Sequence, residues 1–265
     1  MKKYIFMAVA GMLALSSCSN DDNDIQDVQN APRQMTFTAG FGDEAQTRAT
    51  LDGSTKKVSF DAGDEISILS TKNTNTAFTT EYGGASATFT GTAANDSKFY
   101  AIYPYKAYLT LNSNTGVISN VIIPPDQSAA ASSACGWDPA APIAYATTTG
   151  LSLTFHNACA LLKITNDYGD AEFITISANE SVAGTFTLNT TDGSLSYGST
   201  NMISVDAVPN GKTIYIAIAP GTYTGFSTYF KRSGYSVYKT KSKANVTFEK
   251  GKIYNLGNVS VWDNK

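Results

Sequence analysis

The chain has 265 residues, with 19 Lys and Arg against 22 Asp and Glu, a formal charge of −3 and only 15% charged side chains. That balance offers no basic footprint and argues against a nucleic-acid partner. The sparse charge, with Ser, Thr, Asn and Gly crowded between apolar runs, suits an extracellular β protein. The first element is a leader: Lys2 and Lys3 precede the apolar run Tyr4 to Leu15, and small residues then lead to Cys18. This is the pattern of a secretory signal, and the run falls short of the roughly twenty apolar residues of a spanning helix.

Leu15-Ser16-Ser17-Cys18 resembles the lipobox of bacterial lipoproteins. The resemblance implies that residues 1–18 form a lipoprotein signal peptide, with Cys18 acylated as the new N-terminus and lipid anchor. Residues 19–30 read as a flexible acidic tether, because "SNDDNDIQD" is too polar to bury a core. An acidic stretch after a lipidated Cys also resembles signals that send some Gram-negative lipoproteins to the outer face of the outer membrane.

In "RQMTFTAGF", Met35, Phe37, Ala39 and Phe41 alternate with polar residues or Gly, which predicts a half-buried strand. "EAQTRATLDG", Glu44 to Gly53, then puts Arg48 in a polar loop before the next strand. Alternation recurs at Val58 and Phe60, at Ile66 and Ile68, through Phe99, Ala101 and Tyr103, and through Leu151, Leu153 and Phe155. It continues at Ile174 and Ile176, Phe186 and Leu188, Ile214 to Ile218, and Val246 and Phe248. Turn clusters at Gly83-Gly84, Asn114-Thr115-Gly116, Asp192-Gly193 and Pro209-Asn210-Gly211 punctuate the runs. Short strands of this kind bury their apolar faces by stacking two sheets.

The apolar set is odd-numbered through Phe155 and even-numbered at Leu162 and Ile164, so a bulge or bend is expected within His156–Cys159. A polar break, "TNDYGD", follows. The expectation is all-β, with one sandwich over residues 31–165 and a second over 166–265.

No catalytic, metal or cofactor constellation emerges. His156 is the sole histidine and lies in an alternating strand; Cys135 and Cys159 lack an orienting partner that would make a nucleophile and base. As an even pair in an oxidising compartment those cysteines suit either a disulfide or two separate thiols. Asp61, Asp64 and Glu65 lack the alternating ligands of a calcium loop and read as a solvated turn. The aromatic run Tyr223, Phe226, Tyr229, Phe230, Tyr235 and Tyr238 suits core and edge packing, or a glycan platform.

The blocks "VSFDAGDEISIL", "FYAIYPY", "VIIPPDQS", "LTFHNACALLKIT", "YIAIAPGTYTGF" and "FEKGKIYNLGNV", in this order, resemble fimbrillin-like lipoproteins, the subunits of type V pili of Gram-negative gut and oral bacteria. Phe60 stands where that family would have Trp. The resemblance covers nearly the whole chain and implies two tandem transthyretin-like Greek-key β-sandwich domains. It further implies surface export, removal of an N-terminal strand by an arginine-specific protease, and polymerisation by donor-strand exchange with other fimbrial subunits. Here the matching junction is Arg48-Ala49, so residues 31–48 become a removable first strand and cleavage loop; standing alone, Arg48 would read as a plain surface Arg. The donor is expected in "KIYNLGNVSVWDNK", where Tyr254 and Leu256 and then, after Gly257 shifts the phase, Val259 and Val261 form two alternating sets, although an ordinary edge hairpin reads the same. The resulting expectation is a stalk or tip pilin rather than an enzyme. An uncut anchor subunit and a monomeric glycan-binding lipoprotein are the alternatives.

Overall fold

The computed structural model describes residues 31–42, 59–129, 136, 138–236 and 238–265. Cys18, Arg48, Ala49, Val58 and Cys135 lie outside the described residues. Among those described, the architecture is all-β, with twenty strands, one 3-10 turn and no α-helix.

Seven strands close into a barrel: β1 (Arg33–Phe41), β10 (Ser152–Asn157), β9 (Ala144–Thr148), β5 (Phe99–Tyr103), β2 (Glu65–Leu69), β3 (Thr76–Thr79) and β4 (Ser86–Ala93), in that order around the ring. β1 completes it, running antiparallel to β4 and parallel to β10. Alternation places Met35, Phe37 and Ala39 inside, against Ile66, Ile68, Phe78, Phe89 and Phe155. Closure gives each of the seven strands a neighbour on both sides, β1 through β4 over Arg33–Gly40 and β10 over Thr38–Phe41, whereas an open sheet would expose unpaired backbone along its edge strands.

The remaining strands surround a second core. A three-stranded sheet runs β16 (Thr213–Ile218), β11 (Ala160–Thr165), β19 (Ile253–Asn258). A six-stranded sheet runs β20 (Asp263–Asn264), β18 (Tyr238–Phe248), β17 (Gly221–Arg232), β12 (Ala171–Ser177), β15 (Met202–Asp206), β8 (Asp126–Ser128). A four-stranded sheet runs β14 (Leu195–Ser196), β13 (Gly184–Asn189), β7 (Val117–Ile123), β6 (Thr110–Asn112).

β5 is the wall between the two cores, and all five of its residues are buried. Phe99, Ala101 and Tyr103 face the barrel interior, while Tyr100 and Ile102 belong to the second core. β9 divides in the same way, with Ala144 and Ala146 inward and Tyr145 outward. Period-two alternation thus reads correctly in β5, yet its outer face is apolar as well, because a second layer covers it.

The phase change after Phe155 is a change of sheet. β10 ends at Asn157, Ala158 and Cys159 fall between strands, and β11 starts at Ala160 in the other unit. The division expected between Thr165 and Asn166 falls between β11 and β12, and strand pairing runs across it. β7 pairs with β13, β8 with β15, and β11 with both β16 and β19.

Candidate functional site

β1 is flanked along its length. Residues Arg33 to Gly40 face Ala93 to Ser86 on β4, and Thr38 to Phe41 face Ser152 to Phe155 on β10. The Thr38 amide donates to the Leu151 carbonyl at 2.9 Å, and the Gly42 amide to the Phe155 carbonyl at 3.0 Å. Inside the barrel the Phe37 ring meets Phe78 and Phe99 edge-on, with centroids 5.4 and 5.1 Å away. Phe41 stacks on Phe60 at 4.6 Å and lies 5.9 Å from Tyr103 and 6.0 Å from Phe155. Offset and edge-on geometries like these add to the apolar burial of each ring. Met35, Phe37, Ala39 and Phe41, the four side chains expected on one face, are brought together as part of one aromatic core.

Sequence reasoning missed the polar cap on that core. The Tyr103 hydroxyl donates to Asp64 Oδ2 at 2.5 Å, and the Asp61 amide donates to the same oxygen at 2.9 Å. The Asp61–Glu65 segment is therefore more than a solvated turn: it supplies the acceptor a buried Tyr requires. Tyr103, the second tyrosine of "FYAIYPY", carried no signal for this partner.

At the other end of the chain, β19 lies on the edge of its sheet, parallel to β11. Its register shifts where Asn255 faces Lys163 and Gly257 faces Ile164, leaving Leu256 as the extra residue. Gly257, at φ +86°, permits the shift, since that backbone conformation disfavours side chains. The phase change expected at Gly257 is therefore present, but the second alternating set is not a strand. Val259–Val261 is a 3-10 turn, with Val259 buried and Val261 78% exposed.

Charged hooks fix this terminal segment. Lys239, a buried lysine, donates to the carbonyls of Ser260 at 3.2 Å and Trp262 at 3.1 Å. Lys241 donates to the Leu256 carbonyl at 2.7 Å, which also accepts from the Trp262 indole at 3.3 Å. From the opposite side the Asp167 carboxylate accepts the Ser260 hydroxyl, the Ser260 amide and the Asn258 side-chain amide at 2.6, 2.8 and 2.9 Å. The Ser260 hydroxyl, above all, holds the Asp167 carboxyl below its ordinary range. The alternating lysines of "KTKSK" were the available signal, because period two sends Lys239, Lys241 and Lys243 to one face.

The remaining candidates are dispersed. Cys159 is buried, and its sulfur accepts the Ile143 amide at 3.4 Å. His156 is exposed on the outer face of β10, 5.9 Å from the Tyr145 ring. In the aromatic run, Tyr223, Phe226 and Phe230 are core residues. Tyr229 stacks on Tyr238 at 5.2 Å and on Phe173 at 6.0 Å, so these rings spend their faces on each other. Burial pushes the Tyr223 hydroxyl well above its ordinary value, and it donates to the Ala219 carbonyl at 2.5 Å.

A strand-closed barrel fused through a shared wall to a second β unit, with its C-terminal segment held by hooks, is an all-β scaffold. The sequence matches the family described as Fimbrillin-like over residues 47–258, and the chain belongs to that family. The match begins after β1. The fold is similar to that of a candidate cell adhesion protein of Bacteroides uniformis, at 17% identity and a TM-score of 0.54, covering 88% of this chain and 96% of that one. It is also similar to a candidate cell adhesion protein of Bacteroides ovatus, at 16% identity and a TM-score of 0.53, covering 89% and 96%. No curated protein matches the sequence.

Proposed function

We propose that this chain is a stalk or tip subunit of a surface fimbrium, exported as an outer-membrane lipoprotein through Cys18, cut after Arg48 and polymerised by strand exchange to support adhesion. The observation that carries this reading is the position of β1. It closes the barrel, and it is joined to the rest of the protein through the segment that holds the Arg48-Ala49 junction.

Cutting there separates residues 19–48 from the remainder of the chain. Once that fragment leaves, β4 and β10 lose a shared neighbour, and the pockets that Phe37 and Phe41 fill are open. An exposed edge beside apolar pockets is the receptor for an added strand, with backbone bonds giving affinity and alternate side chains giving register. The giving surface and the receiving surface differ, so the contact is head-to-tail and propagates as an open filament. In this reading the donor is the hooked C-terminal segment, β19 with Tyr254 and Leu256 and the turn bearing Val259 and Val261. Its hydrogen bonds to Lys239, Lys241 and Asp167 exchange for a ladder on the neighbouring subunit. The partners are other fimbrial subunits, an arginine-specific protease and, before cleavage, the lipid bilayer.

The test is to treat the purified full chain with an arginine-specific protease and run it on a denaturing gel without boiling. Ladders that appear only after cutting, and never for Arg48→Ala, are the expected result. A cut chain that stays monomeric, or an Arg48→Ala chain that still forms ladders, contradicts the proposal.

A further inference from the structure

We propose that the cleft between the β2–β3 connection and the loop after β5 binds a neutral oligosaccharide. It measures about 750 Å3, and its walls are Leu69–Asn75 on one side and Ala107–Leu111 on the other, with Asn120 at one end. That volume lies within the range of small-ligand sites, which run to about 1,000 Å3.

Its chemistry selects the ligand. Thr71, Thr74, Thr110 and Asn120 present exposed hydroxyls and an amide, groups that both donate and accept. Sugar hydroxyls have the same dual character. Lys72 is the one charged side chain among the described lining residues, which is too little positive charge for a phosphate or polyanion. At the rim stands Tyr108, 79% exposed, a ring available to stack on the apolar face of a pyranose.

Both walls are fixed in advance. The Asn73 side-chain amide donates to Ser70 Oγ at 2.7 Å and to the Ala94 carbonyl at 2.8 Å, and its oxygen accepts the Ala94 amide at 2.6 Å. Thr71 donates through its hydroxyl to Asp96, and the Lys72 amide donates to the same carboxylate at 3.1 Å. Asn120 adopts φ +64°, a left-handed conformation that Asn tolerates, and its side-chain amide donates to the Tyr108 carbonyl at 2.9 Å. That bond anchors the loop that carries the exposed ring. Asn75 donates to the Lys106 carbonyl, while its own Oδ1 is sealed from solvent with no hydrogen-bond partner. Rigid walls reduce the ordering cost of binding, which matters for a weakly held, highly hydrated ligand.

The site does not depend on β1 or on assembly, so its test uses the uncut full chain. Cellotriose, mannotriose, N,N′,N″-triacetylchitotriose and, as a charged comparison, trigalacturonate are titrated while backbone amide resonances are followed. At least one neutral trisaccharide is expected to saturate, with shifts centred on residues 70–75 and 107–111. Tyr108→Ala should weaken that binding by about tenfold or more, the loss of roughly 1.4 kcal/mol of stacking. Tyr108→Phe should retain it, and Tyr82→Ala, at an exposed ring elsewhere, should leave it unchanged. The proposal is overturned by the absence of saturable binding of every neutral probe, by preference for trigalacturonate, by shifts centred on another face, or by full binding in Tyr108→Ala.

Discussion

Replacing Phe37 by Ala should cut deeply into the stability of the intact chain and then cease to matter once β1 has been removed. The Phe37 ring is fully buried between Phe78 and Phe99, and truncating such a ring costs about 3–5 kcal/mol. Gly91 limits relaxation on the β4 side, because a Cβ there would sit 2.7 Å from the Phe78 ring, so that ring is already packed against bare backbone. With a urea slope of about 2 kcal/mol/M, the unfolding midpoint of the uncut variant should fall by about 1.5–2.5 M. β1 as a whole contributes the buried side chains of Met35 and Phe37 and the partly buried ring of Phe41, about 4–8 kcal/mol at roughly 1.5–3 kcal/mol for each full burial. Set against a total stability of about 5–15 kcal/mol, this leaves a barrel without β1 marginal. The assay is urea unfolding followed by far-ultraviolet circular dichroism, on the uncut chain and on cut, assembled material. Wild type and Phe37→Ala should coincide after cutting, because the substituted strand is gone. A loss below about 1 kcal/mol in the uncut chain would refute the reasoning, since it would mean that the barrel core does not rest on β1.

Gly91→Ala should destabilise the uncut chain by about 1–3 kcal/mol through overpacking against Phe78, read from the same urea curves. Lys239→Ala removes the donor to the Ser260 and Trp262 carbonyls, so hydrogen exchange at residues 259–264 should accelerate while the barrel amides stay protected. Asp167 has a folded-state pKa below its ordinary value of 3.8, so its contribution to holding the C-terminal segment is complete above that value and is lost as pH falls through the folded-state pKa. In acid, the protection of the Ser260 amide relative to its intrinsic exchange rate should therefore fall in wild type, and Asp167→Asn should show low protection already at neutral pH. Tyr223→Phe leaves the Ala219 carbonyl short of a donor in the core and should cost about 1–2 kcal/mol, measured by thermal unfolding.

Alternation carried most of the fold. Met35 to Phe41 shows the burial that period two predicts, and the phase break after Phe155 marks a change of sheet at Ala158-Cys159. Closure was beyond its reach, because the parallel pairing of β1 with β10 joins residues more than a hundred positions apart, and register at that distance has no local signature. The burial of Tyr100 and Ile102 was also hidden, since the second layer over β5 comes from distant strands. In the C-terminal segment Gly257 announced the bulge correctly, but Val259 and Val261 imitate a strand that the local 3-10 turn replaces. The alternation of "KTKSK" places its lysines on one face but does not reveal the carbonyl acceptors of Lys239 and Lys241, and Tyr108 is one exposed ring in a chain of fifteen tyrosines.

The most direct test of a vacancy that is opened and refilled is hydrogen exchange on β4 (Ser86–Ala93) and β10 (Ser152–Asn157), in the uncut chain, in the cut monomer after its fragment is removed, and in the polymer. Protection of both strands should be high at first, collapse in the cut monomer and return on polymerisation, with residues 33–41 absent from the filament. Undiminished protection in the cut monomer, or a filament that still contains residues 33–41 in place, would contradict the account.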